Sequence, residues 1–138
     1  MKVIPISDVA WAMLCAASPD AGLLQRPEWR GVQGEELLRY GVVDDKEVPV
    51  AGFQLVRSKR SGLTLWSHPP FHQNCAFIAK ARAKNPAKRV GEGKKLHAAI
   101  AAFLNELPGV VTVAFPPEVV DMQPYIWAGC KVVPSYTY

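Results

Sequence analysis

Three stretches in the middle of the chain place apolar residues at every second position, the pattern of half-buried strands. LLRYGVVDD sets Leu38, Tyr40 and Val42 on one face, and VPVAGFQLVRSKR does the same with Ala51, Phe53 and Leu55. LTLWS follows the turn SKRSG. With the polar turn DDKE between the first two, these runs predict an antiparallel meander. Helical spacing occurs on either side. Ser7 can cap a helix from Asp8 to about Ala17, with Val9, Met13 and Ala16 on one side, Trp11 and Leu14 nearby, and Ser18-Pro19-Asp20 as its end. Leu96, Ile100, Phe103, Leu104 and Leu107 mark a longer helix that Pro108-Gly109 stops. Shorter elements complete the set: a first strand over residues 2–6, a short helix begun by Pro27 and carrying Trp29, an apolar strand VVTVAF, a brief helix over residues 122–127, and a last strand over residues 130–138. The order is β-α-(α)-β-β-β-α-β-α-β.

Composition narrows the class. The 138 residues, 49% hydrophobic and 20% charged, suit one globular domain that buries its own core. No run approaches the roughly 20 apolar residues of a membrane span. MKVIPISD has no apolar core region of a signal peptide, so a cytoplasmic protein is expected. Cys15, Cys75 and Cys130 are an odd number, far apart and without a CxxC, which fits thiols in a reducing compartment.

The formal charge of +4 is unevenly spread. Lys80, Arg82, Lys84, Lys88, Arg89, Lys94 and Lys95 stand against Glu92 alone in one segment, while the rest of the chain is slightly acidic. Two readings stay open for it, a bound polyanion or a solvated lysine-rich loop. Within it lies Lys88-Arg89-Val90-Gly91-Glu92-Gly93, read as a loop opening the long helix. Two glycines one residue apart allow close backbone approach, and a helix N-terminus offers unpaired N–H groups to a phosphate. A Walker loop would need Gly at Lys88 and Ser or Thr at Lys95, and GxGxxG fails at Leu96.

The element order and the KRVGEG segment resemble the GNAT acyltransferase superfamily, whose [QR]xxGx[GA] loop binds the pyrophosphate of acyl-CoA; here Lys88 takes the Gln or Arg place. PPFHQNCAF and the closing PYIWAGCKVVPSYTY narrow the resemblance to the Fem-like branch, the aminoacyltransferases of peptidoglycan interpeptide bridges and their relatives. The departures are His72 for a Thr, Ala76 for a Gly, Cys130 for an aromatic, and more than twenty residues between LTLWS and the KRVGEG segment.

The resemblance implies an α/β (α+β) fold with a mixed, mostly antiparallel sheet flanked by helices, one domain over residues 1–138. It also implies one unit of a two-unit protein, which a second copy (a homodimer) or a second GNAT unit would complete. The implied activity is transfer of an acyl or aminoacyl group, from acetyl-CoA, another acyl-CoA or an aminoacyl-tRNA, to an amine such as that of a peptidoglycan precursor. Lys88, Arg89, Val90, Gly91, Glu92, Gly93 and Lys94 would bind the cofactor. Phe71, His72, Gln73 and Trp127 would bind the acceptor, and Tyr125, in the Tyr125-x-x-x-Gly129 segment, would protonate the leaving group. Packing of Tyr125 against the sheet is the competing reading.

No carboxylate stands out as a base: Glu47, Glu92, Glu118 and Asp121 read as surface groups, with Asp121 placed to cap the short helix. His68, His72 and Cys75 lack a nearby fourth ligand, so no metal is expected. His97, beside a run of lysines, reads as surface, and Trp66 and Trp127 as core or groove wall. Tyr136 and Tyr138, two apart on the last strand, would share an exposed face. A non-catalytic binding module is the alternative of another class. RNA binding through residues 80–95 lacks aromatic interleaving and ranks last.

Overall fold

The meander of the middle segment forms the centre of the sheet in a computed structural model that describes residues 1–19, 21–33, 36–80 and 84–136. Strand β1 (Lys2–Pro5) pairs antiparallel with β2 (Leu37–Val43), β2 with β3 (Pro49–Arg60), and β3 with β4 (Leu63–Ser67). Glu47 (φ 60°), Ser61 (φ 50°) and Gly62 (φ 80°) take left-handed backbone in the two hairpin turns. β6 (Val110–Thr112) joins the far side of β4 in parallel, and the two-residue β5 (Ile78–Ala79) pairs with β3. The fold is thus α+β, with a mostly antiparallel open sheet flanked by helices.

Period-two alternation sends side chains to two differently built faces. Tyr40, Val42, Ala51, Phe53, Leu55 and Trp66 pack with Leu96, Ile100, Ala101 and Leu104 of the long helix α3 (Pro86–Glu106), which follows β5. The opposite face carries α1 (Asp8–Ala16), capped by Ser7, whose Oγ accepts the Ala10 N–H at 3.2 Å. Trp11 and Leu14 point inward here, while Val9 and Met13 are 71% and 69% exposed, the reverse of the expected face. The reason is the floor beneath the helix. Gly41 and Gly52 pair across β2 and β3, and a Cβ on Gly52 would stand 2.7 Å from Leu14 Cδ2 and 3.0 Å from Trp11 Cζ3. The indole and the leucine occupy that glycine hollow, which fixes the rotation of α1. Short 3₁₀ turns at Leu23–Gln25 and Pro27–Trp29 lead into α2 (Arg30–Gln33). α1 ends at Ala16 with Ala17 as its C-cap, close to the expected end at about Ala17; Asp20 lies outside the described residues.

The stretch read as a long insertion is a break in one strand. β3 pairs Val56 with Ser67 and then Gly52 with Ile78, so a strand-sized gap on β3 faces a looped excursion on its neighbour. The chain leaves after Ser67 and returns at Cys75, whose carbonyl accepts the Gln54 N–H at 2.7 Å and whose N–H donates to the Ala114 carbonyl at 2.9 Å. β5 is the resumed strand, and α3 follows it closely.

Two further expectations are corrected. The KRVGEG segment is helical, not a loop. Asn85 caps α3, its Oδ1 accepting from the Ala87 and Lys88 N–H groups at 3.0 and 3.3 Å, and Pro86 takes the first position. Residues 130–136 form no strand among the described residues, and Pro134 interrupts any ladder there. Thr137 and Tyr138, with the expected shared tyrosine face, lie outside the described residues. At the other end of α3, Gly109 (φ 93°) brings its backbone against the Thr64 carbonyl, confirming the expected stop.

Candidate functional site

An open cleft runs between the first turns of α3 and the segment leading into α4 (Gln123–Trp127). Its outer part, about 610 Å³, is lined by Val90, Lys94, Val120, Met122, Gln123 and Ile126. Its inner part, about 190 Å³, adds Arg89, Gly93, His97, Glu118 and Val119. The charged lining is balanced, Arg89 and Lys94 against Glu118 and Asp121, and the surplus positive charge lies on exposed residues such as Lys84, just before α3, and Lys88 and Lys95 on it.

Of the residues expected to bind a cofactor, Arg89, Val90, Gly93 and Lys94 line this cleft; Lys88, Gly91 and Glu92 do not. Lys88 and Glu92 face each other on the exposed side at 3.8 Å. Because the segment is helical, the N–H groups of Gly91 to Lys94 belong to the helix ladder. The earlier amides are also taken, by the Asn85 side chain and, for Arg89, by the Asn85 carbonyl at 3.0 Å. The cleft therefore offers side-chain charge, not a backbone cradle.

α4 is short, and its register is set by its end. Gly129 takes φ 84°, its N–H donates to the Ile126 carbonyl at 3.0 Å, and the Cys130 N–H returns to the Tyr125 carbonyl at 2.9 Å. This is a Schellman termination, and it gives the Tyr125-x-x-x-Gly129 spacing a physical reason. At the other end Met122 is the cap residue and has no side-chain cap bond; Asp121, one residue earlier, accepts the Gln123 N–H through Oδ1 at 3.1 Å. Lys94 ties the two helices: its Nζ reaches Gln123 Oε1 at 3.4 Å and sits 5.8 Å over the Trp127 ring. Trp127 is otherwise exposed, whereas Trp66 is core, with Nε1 donating to the Pro108 carbonyl at 2.9 Å.

Tyr125 is buried, and its hydroxyl lies 2.8 Å from His97 Nδ1. Phe77, Phe115 and Tyr125 surround the imidazole at centroid distances of 5.3, 6.2 and 5.8 Å. Burial pushes the Tyr125 phenol well above its ordinary range, with Cys75 and Cys130 adding to the effect, so it keeps its proton. His97, expected on the surface, is 5% exposed, yet it lines the inner cleft. The sequence hid it among lysines; only its position one turn before Ile100 on the buried stripe of α3 hinted at burial.

Phe71, His72 and Gln73 lie on the excursion, away from this cleft. His72 is buried with Nε2 3.0 Å from the Leu24 carbonyl, which anchors the excursion toward the α1 side of the sheet. Phe71 is 76% exposed with φ 65°, an uncommon conformation for a non-glycine residue. The same α1 face holds Arg39 opposite Gln54 in the strand register. The Arg39 guanidinium donates to Asp8 Oδ1 at 2.8 Å, shares it with Arg30 at 2.7 Å, and lies 5.6 Å from the Trp11 ring centre. The side-chain amide of Gln54 is fully buried with no partner among the described residues. Sequence reading gave neither residue a role. The structure thus puts Phe71, His72 and Gln73 apart from the expected cofactor residues, and Trp127, also expected to bind the acceptor, beside Lys94. Among the described residues, no three metal-ligating side chains come together, and no helix is long and apolar enough to cross a membrane.

No family model and no curated protein matches the chain. Solved structures similar to it include a protein of Thermus thermophilus (12% identity, TM-score 0.49, covering 100% of this chain and 95% of that one). Another is an aminoglycoside antibiotic 6'-N-acetyltransferase from Acinetobacter baumannii (14%, 0.44, 99% and 95%). A third is a mutant protein of Bacillus halodurans (13%, 0.49, 100% and 98%). At these levels the likenesses do not bear on what this chain binds or does.

Proposed function

We propose that the protein is a GNAT-type N-acyltransferase that moves an acyl or aminoacyl group from acyl-CoA or aminoacyl-tRNA to an amine. The observation that carries this reading is the cleft beside α3 at the point where the sheet opens. The last link between the resumed strand and the chain beyond β6 is the Cys75–Ala114 bond, and β5 pairs only with β3 among the described residues. Beyond that link the Phe77 and Phe115 rings stand 6.3 Å apart. A pantetheine arm is extended and rich in amides, and unpaired strand edges suit it. Val90, Val120, Met122 and Ile126 offer apolar wall, while Arg89 and Lys94 offer charge for phosphates. In this reading the acceptor arrives on the α1 side, where Phe71, His72 and Gln73 shape the excursion. The finer Fem-like assignment rests on PPFHQN and PYIWAGC alone.

The test is calorimetric titration with CoA and acetyl-CoA. Val120 is 85% exposed, so Val120→Asp leaves the core intact while placing a carboxylate in the cleft. Binding should weaken at least about tenfold, some 1.4 kcal/mol. Absence of heat at millimolar CoA, with the protein folded, refutes the acyl-CoA reading.

That outcome would favour a second reading, a binding module completed by a second copy or another unit. It is supported by the outer edge of β6, which pairs with no strand among the described residues, and by Val133 and Tyr136, 67% and 82% exposed. Light scattering after gel filtration decides whether the chain self-associates. A mass of one chain at all concentrations removes the homodimer.

A further inference from the structure

We propose that His97 is the proton-transfer group of the cleft and that Tyr125 is the residue that positions it. The inference rests on the acyl-transfer reading above and reverses the role that the sequence suggests for the tyrosine. Tyr125 is not part of the cleft lining; His97 is, at the inner end, together with Arg89, Lys94, Glu118 and Asp121. The phenol sits behind the imidazole, 2.8 Å from Nδ1.

Three features make this pair more than filling. A polar pair inside an aromatic box is costlier than an apolar pair of the same shape unless its groups are bonded to each other, as they are here. The imidazole is restricted by Phe77, Phe115 and Tyr125, so its plane is set before any ligand arrives. The phenol is itself fixed, because the Schellman turn at Gly129 locks the backbone carbonyl of Tyr125 to the Cys130 N–H. For the ring's other nitrogen to accept a proton, Nδ1 must carry the ring hydrogen and donate it to the phenol oxygen, a role the phenol fills while keeping its own proton.

The step balances with the two substrates alone. The amine nitrogen attacks the thioester carbonyl carbon, forming the C–N bond, and the C–S bond breaks with its electron pair going to sulfur. His97 accepts the proton released by the nitrogen and gives it to the sulfur, and so ends neutral, as it began. The same exchange serves an aminoacyl ester, with oxygen in place of sulfur.

The test combines calorimetry with ¹⁵N NMR of the histidine side chains, on wild type, His97→Gln and Tyr125→Phe. Saturating CoA should move the His97 ring resonances, and Tyr125→Phe should shift the same resonances without ligand; a fall in kcat at unchanged KM is what simple packing would not produce. With acetyl-CoA and a panel of primary amines, His97→Gln should lower kcat about 100-fold with KM nearly unchanged. Tyr125→Phe should lower kcat less. If CoA binds yet the His97 resonances stay still, or if His97→Gln keeps wild-type kcat, the inference falls and the acyl-transfer reading stands. If Tyr125→Phe leaves the His97 spectrum unchanged, the positioning role falls. No CoA binding, or no thiol release with any amine, removes the reading and this inference together. The wild-type and Tyr125→Phe spectra decide the matter even where the glutamine variant does not fold.

Discussion

Gly91→Ala separates the loop read from the sequence from the helix in the structure. A Cβ built on Gly91 meets no atom within 4 Å, and the residue lies on the exposed side of α3, past its first turn. Glycine costs about 0.8–1.0 kcal/mol relative to alanine in a helix interior. Removing that cost without adding a contact should stabilise the protein by about 1 kcal/mol, raising Tm by about 2–5 °C for a chain of this size. Thermal melts and urea titrations followed by far-UV circular dichroism measure this, and the urea slope should be unchanged. CoA affinity should also be unchanged, because Gly91 does not line the cleft. Were the segment a loop that wraps a pyrophosphate through glycine backbone, the same substitution would weaken binding and bring no stability. A lower Tm, or a loss of CoA affinity without unfolding, would refute the helical account.

Gly52→Ala should do the opposite. Its Cβ would stand 2.9 Å from the Tyr40 carbonyl oxygen and 2.7 Å from Leu14 Cδ2; Leu14 can yield but the backbone cannot, so a loss of about 1–3 kcal/mol is expected in the same urea titration. An unchanged midpoint would mean that α1 does not sit in the glycine hollow. His72 supplies a pH dependence. Burial lowers its pKa below the ordinary histidine value of 6.5, with the Leu24 carbonyl opposing and His68 assisting, so the unfolded chain takes up the proton first. Its contribution is complete above about pH 6.5 and is lost as pH falls from there toward the lower folded value. Urea midpoints between pH 7.5 and 5 should decline more steeply for wild type than for His72→Gln; equal slopes would place the acid sensitivity elsewhere.

The meander was legible because both buried faces of β2 and β3 are written in strict alternation, and Ser7, Pro108 and Gly109 are local stop and start signals. The start of α3 was equally local, in Asn85-Pro86, but the glycine pair five residues on outweighed it. Two helical glycines cost about 2 kcal/mol, and the buried stripe of Leu96, Ile100 and Leu104 offsets that. The orientation of α1 was not local. It depends on the bare backbone of Gly52 beneath Trp11 and Leu14, which no periodicity in α1 records. His97 was hidden for a related reason, since it is covered by Phe77, Phe115 and Tyr125 from three other segments. The Tyr125–Gly129 spacing was recognised as a motif before its cause was visible, and that cause is helix termination.

The broken strand also bears on which chemistry the cleft can support. Cys75 is the residue at which the strand resumes, bonded through its backbone to Gln54 on one side and Ala114 on the other. It is the thiol nearest the opening of the sheet, and a covalent acyl-cysteine would be the natural alternative to direct transfer. Its thiol is fully buried, however, and burial pushes its pKa up to about 12. The thiolate that such a route requires is therefore disfavoured at neutral pH. In the proposed acyl transfer the group would then pass directly from donor to amine, with a proton to move in the same step. Glu118 and Asp121 share the lining with cations, and Asp121 is held to the start of α4. Among the groups lining the inner cleft, the imidazole of His97 is the one held from behind by a buried partner, the Tyr125 phenol, which is why the proton is assigned to it.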